Sequence, residues 1–106
     1  MDPFDMSNLG GLIGGFQQRM AQFKEETPKL RAEGVSGGGL VRVVVSGANE
    51  VISVTIDEQA MGDREMLEDL VRAATTEAFR SIKEQISAKL RDMTGGLPIP
   101  PGLLPF

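Results

Sequence analysis

Residues 34–56 read GVSGGGLVRVVVSGANEVISVTI, two β-branched runs that each follow a cluster of turn residues. Runs of this composition and length, bounded by glycine, serine and asparagine, are typical of β-strands. The sequence predicts strands over Leu40–Ser46 and Val51–Ile56, and a short first strand over Leu30–Val35. Because the connections are short, the three strands should form an antiparallel meander.

Side chains alternate along the two longer strands. Ile52, Val54 and Ile56 alternate with Ser53 and Thr55, which is typical of a strand with one buried face and one solvated face. In the strand before it, Val41, Val43 and Val45 should share the buried side. That arrangement leaves Arg42 on the other side of the sheet.

The glycines at 37–39 invite comparison with a phosphate-binding loop, but the chemistry does not fit. Such a loop collects backbone amides at the start of a helix, and here a predicted strand follows. The Gly-Lys-Ser/Thr ending is also missing. The glycines therefore predict a tight turn between strands that uses positive φ angles, and no nucleotide site.

Two helices are predicted to flank the sheet. Asp63 is a suitable N-cap for a helix over Arg64–Met93, and the apolar spacing Phe16, Met20, Phe23 predicts an earlier helix that ends before Pro28. The apolar stripe of the long helix is assigned to core and dimer contacts, and its main members are Leu67, Val71, Ala74, Ala78, Ile82, Ile86 and Leu90. A helix of about 45 Å outreaches strands of six residues, so we expect a second copy of the chain to cover its C-terminal half.

The composition restricts the functional classes. The 106 residues suit one α+β domain, and neither cysteine nor histidine is present. This removes disulfides, thiol nucleophiles, the usual general base and the commonest transition-metal ligands. We therefore expect no enzyme, no catalytic residue, no metal and no cofactor. No apolar run is long enough to span a membrane, so a cytoplasmic protein with no membrane partner is expected.

A cationic stripe is the main functional signal. Placed at about 100° per residue, six cations and hydroxyls of the long helix fall within about 100° of one another: Arg72, Thr76, Arg80, Lys83, Ser87 and Arg91. Such a stripe suits a phosphate backbone, although bases toward a helix C-terminus also complement the macrodipole and any solvated face needs charge. Further candidate cations for DNA are Lys24, Lys29, Arg31 and Arg42.

The order of these segments resembles the YbaB/EbfC family of bacterial nucleoid-associated proteins. The resemblance covers nearly the whole chain, and its most specific pieces are SGGGLV at 36–41, SGA at 46–48, ID at 56–57, EMLEDLV at 65–71 and the ending LPIPPGLLPF. It implies a single domain over residues 1–94, a tweezer-like homodimer and binding to double-stranded DNA in the nucleoid with little sequence preference. It also implies partners among recombination or replication proteins.

The two ends of the chain differ in composition from the rest. Residues 1–12 are glycine-rich and are expected to be mobile, while residues 95–106 form a proline-rich apolar tail that should be extended. Such a tail is also suited to docking, so a protein-interaction adaptor on the same dimer scaffold, without direct DNA binding, stays open as an alternative.

Overall fold

A computed structural model describes the backbone of residues 6–94 and the side chains of residues 13–93. It confirms the predicted α+β fold, a helix followed by a three-stranded sheet and a long helix. The elements are α1 (Met6–Glu26), β1 (Arg31–Ser36), β2 (Val41–Ser46), β3 (Val51–Ile56) and α2 (Arg64–Thr94), with 3-10 helices at Thr27–Lys29 and Glu58–Ala60. The predicted proline-rich tail lies outside the described residues.

The sheet is the predicted antiparallel meander, in the order β1-β2-β3. Its helix-facing side is filled by Val41, Val43 and Val45, all 0% exposed. Arg42 lies on the opposite side, as the alternation predicted, and is exposed there.

Glycine conformation makes the β1–β2 turn. Gly37, Gly38 and Gly39 have φ angles of 61°, 68° and 105°, in the left-handed region that side chains disfavour. The Gly39 amide donates to the Ser36 carbonyl at 3.2 Å, which closes the turn. The prediction of a strand-to-strand turn is confirmed.

Gly34 has a different role from its neighbours in sequence. It lies buried in β1 where α2 crosses the strand, and a methyl group there would overlap the carbonyl oxygen of Ala74 and the amide of Ala78. Glycine on the strand and alanines on the helix therefore let the two backbones approach closely. The sequence predicted Gly34 to lie in the first strand, over Leu30–Val35, but did not indicate this close contact with α2.

Helix α2 begins at the predicted cap, since the Met66 amide donates to the Asp63 carboxylate at 3.0 Å. Along its apolar stripe Ile82 is 0% exposed and Ile86 is 7% exposed, and both belong to one core cluster with Phe23 of α1. The expectation that a second copy must bury this half of α2 is therefore wrong for these residues. The end of α1 supplies the cover that the sheet is too short to give.

Strand β3 differs from its prediction, because all six of its residues are exposed. Val54 and Ile56 pair with Val43 and Val41, so they lie on the helix-facing side of the sheet. Helix α2 packs on β1 and β2 and leaves that side of β3 open. A register shift between Val44 and Val45 also leaves Ile52 without a partner on β2.

Helix α1 is longer than its composition predicted. It starts at Met6 and runs through the glycines at 10, 11, 14 and 15, each of which disfavours a helix interior by about 1 kcal/mol relative to alanine. It ends at Glu26, before the Thr27-Pro28 pair, as predicted. Neither helix within residues 6–94 combines the length and hydropathy that crossing a membrane requires.

Candidate nucleic-acid interface

The predicted cationic stripe lies on the solvent side of α2. All six of its members are exposed, because the opposite face of the helix carries the core residues Ala74, Ala78 and Ile82. The side chains of Arg72 and Arg80 are 71% and 62% exposed. The helix thus presents Arg72, Thr76, Arg80, Lys83, Ser87 and Arg91 along one side.

Two of these cations have carboxylate neighbours one turn earlier on the helix. The Arg80 guanidinium pairs with Glu77 at 2.8 Å, and that of Arg72 lies 3.8 Å from Asp69. Exposed pairs of this kind contribute about 0.2–1 kcal/mol, so a phosphate can replace the carboxylate at small cost. Within residues 13–93, Lys83 has no ion-pair partner.

The β2–β3 turn brings further polar groups to the stripe. An open groove of about 570 Å³ lies between α2 and this turn, and it is lined by Asn49, Thr75, Thr76, Phe79, Arg80 and Lys83. A second groove of about 340 Å³ adjoins it, lined by Thr27, Gly47, Asn49, Lys83, Ile86 and Ser87. Lys83 and Asn49 line both grooves.

Asn49 was not among the predicted site residues. Its φ of 62° is the left-handed turn conformation that asparagine tolerates better than most residues. The turn places it beside Lys83, although the two are far apart in sequence. An amide, an ammonium and hydroxyl groups around an open groove can donate hydrogen bonds to phosphate oxygens.

The other predicted cations do not join the stripe as one surface. Arg42 lies on the side of the sheet away from α2 and pairs with Glu33 at 2.6 Å. The Arg31 guanidinium donates to the carbonyls of Pro28 and Leu30, both at 3.0 Å. Lys24 and Lys29 are exposed where α1 passes into β1.

An ion pair ties the end of α1 to α2. Lys89 lies 2.6 Å from Glu26, and this hydrogen bond with its attendant charge lowers the pKa of the Glu26 carboxyl below its ordinary value of 4.5. Nearby, Arg19 and Gln22 face Asp92 and Met93 across an open cleft of about 430 Å³. The two helices therefore run antiparallel over this short overlap.

Comparison with known proteins agrees with this architecture. The chain is similar to the crystal structure of the uncharacterized protein HP0035 from Helicobacter pylori, with a TM-score of 0.70 and 27% sequence identity, over 87% of this chain and 99% of that one. The sequence profile described as the YbaB/EbfC DNA-binding family matches residues 1–97. The chain is a member of the YbaB/EbfC DNA-binding family.

Proposed function

We propose that this protein is a nucleoid-associated homodimer that binds double-stranded DNA with little sequence preference, through the cationic stripe of α2. The observation that carries the proposal is the alignment of exposed cations and hydroxyls along one side of a long, well-packed helix. Membership of a DNA-binding family supports DNA as the ligand. A link to recombination or replication proteins rests on the family resemblance alone.

The open side of β3 supports a dimer. Val51 and Val54 are 47% exposed and Ile56 is 37% exposed, and they continue the buried surface formed by β2. Residues 51–56 contain neither charge nor proline, two features that usually protect an exposed edge strand in a monomer, although the register shift beside Ile52 makes the pairing irregular. A second copy applied to β3 would bury this apolar side and bring two α2 helices into one particle.

The cationic stripe lies on a protein whose net charge is negative. The net charge of −4 repels DNA at long range, so binding depends on the short-range contacts of Lys83 and its neighbours on α2. Long cationic side chains on phosphates fix position without reading bases. This supports weak sequence preference and an affinity that falls steeply as salt rises.

Fluorescence anisotropy with several unrelated labelled duplexes, each titrated at two salt concentrations, tests the proposal. The expected result is similar affinity for every duplex and a marked loss of affinity at the higher salt, because phosphate contacts release counterions. Absence of binding at low salt would refute it. Capture of a protein partner with an affinity indifferent to salt, without DNA binding, would instead support the adaptor.

A further inference from the structure

Helix α1 extends well beyond the end of its partner helix. Glu26 of α1 contacts Lys89 of α2, and the antiparallel overlap of the two helices ends where α2 ends, at Thr94. Arg19 already lies opposite Asp92 and Met93. The part of α1 before Arg19, residues 6–18, therefore continues for about 20 Å at 1.5 Å per residue without α2 beside it.

An apolar seam follows α1 into this extension. Ile13, Phe16, Met20 and Phe23 recur at alternating spacings of three and four residues, which places them on one side of the helix. Phe23 is 2% exposed in the core, whereas Phe16 is 41% exposed and Ile13 is 50% exposed. The apolar side of α1 is therefore buried near Phe23 and exposed at Phe16 and Ile13, beyond the end of α2.

The composition of the extension is unsuited to a solvated helix. Residues 6–18 contain no charged side chain, so no ion pair along the helix supports them. Space for a methyl group around Gly14 and Gly15 is open, so these glycines give up helix propensity without permitting a close contact within the described residues. A helix of this kind gains most of its stability from packing on its apolar side.

The chain itself supplies a suitable cover. Helix α2 ends at Thr94, close to where the α1 extension begins, and residues 95–106 read GGLPIPPGLLPF, with no charge and several large apolar side chains. Twelve residues in an extended proline-rich conformation span about 37 Å at about 3.1 Å per residue, which exceeds the length of the extension. Proline also limits the entropy lost when such a segment becomes ordered.

We infer that residues 97–106 of the same chain pack along the apolar seam of α1, on Ile13, Phe16 and Met20. Both surfaces lack charge, so the contact is apolar and insensitive to salt. Because α2 ends next to the seam, the attached tail has a high effective concentration there compared with any separate molecule. The tail then belongs to the subunit and is not a free docking peptide.

The absence of tryptophan and tyrosine from the chain makes a clean optical test available. A Phe16→Trp variant of the full chain places one indole on the seam. We expect a blue-shifted emission and weak quenching by acrylamide, since the tail covers the ring. Replacing Leu103, Leu104 and Phe106 together by serine in that background should shift the emission red and raise the quenching constant several-fold.

A matched control uses Val35→Trp, because Val35 is also 41% exposed but lies on β1. Its quenching should not respond to the same three tail substitutions. Strong quenching at position 16 with the natural tail, or protection that persists after the tail is changed, would overturn the inference. So would protection that disappears on dilution, because a second copy would then be the cover.

Discussion

Replacing Arg80 and Lys83 by glutamine should weaken binding to all duplexes alike and flatten its dependence on salt. Each phosphate contact contributes about 0.9 to the slope of log affinity against log salt, so four lost cations in a dimer lower the slope by up to about 3.6. If the phosphate contacts contribute nothing to the affinity near 1 M salt, their loss lowers the affinity at about 0.1 M, one log unit lower in salt, by as much as about 3.6 log units. Fluorescence anisotropy over a series of salt concentrations measures both quantities.

The two cations should contribute unequally. Lys83 has no carboxylate partner within residues 13–93, whereas Arg80 must first leave Glu77, at a cost of about 0.2–1 kcal/mol. Lys83→Gln alone should therefore cost more affinity than Arg80→Gln alone. The change Glu77→Gln should act in the opposite direction and strengthen binding, because it releases Arg80 and removes a negative charge from beside the DNA.

Arg64→Gln provides the matched control for each single variant, since it also removes one positive charge per chain, but at the start of α2, where Arg64 pairs with Glu68 at 3.3 Å. It should leave the salt slope unchanged. An unchanged slope in the Arg80/Lys83 variant, or an equal fall in the control, would refute the assignment of phosphate contacts to the stripe.

Three further variants test the packing. Val54→Asp should give a folded monomer by light scattering. Loss of the half-exposed valine removes about 2 kcal/mol of apolar burial across two copies, and the substitution places two charges in the proposed interface. A persistent dimer would contradict the β3 contact. Gly34→Ala should lower the free energy of unfolding by about 3 kcal/mol, as measured in urea, whereas Gly62→Ala, in open space, should have little effect. Lys89→Gln should lower the melting temperature at pH 7, because it removes the ion pair with Glu26. The difference in melting temperature between the variant and the unchanged protein should vanish as pH falls below 4.5 through the lowered pKa of Glu26, since protonation of Glu26 ends the pairing.

Local patterns predicted most of the secondary structure. The strand bounds were correct within a residue, because alternation and turn chemistry are properties of neighbouring residues. Alternation in β3 showed that one side of the strand is apolar. It carried no information on whether α2 would cover that side, since the position of α2 over β1 and β2 depends on contacts between distant segments.

The candidate site was predicted unevenly for the same reason. Helical geometry alone placed Arg80 and Lys83 on one side of α2. The approach of Asn49 to Lys83 depends on how the β2–β3 turn packs against the helix, and no sequence spacing encodes it. The sequence placed Gly34 in the first strand, but its contact with α2 depends on how the helix crosses that strand.

The close seating of α2 on Gly34 limits how the protein can adapt to its ligand. A helix packed backbone to backbone against a strand has little freedom to rotate or slide, so the cationic stripe on its outer side is straight and has a fixed direction. The cationic stripe from Arg72 to Arg91 is about 29 Å long at 1.5 Å per residue, a little under the length of one turn of B-form DNA. The grooves of a duplex curve over that distance, so in the proposed contact the duplex has to supply the adjustment. Any sequence preference of this protein should then arise from how readily a given duplex bends or twists.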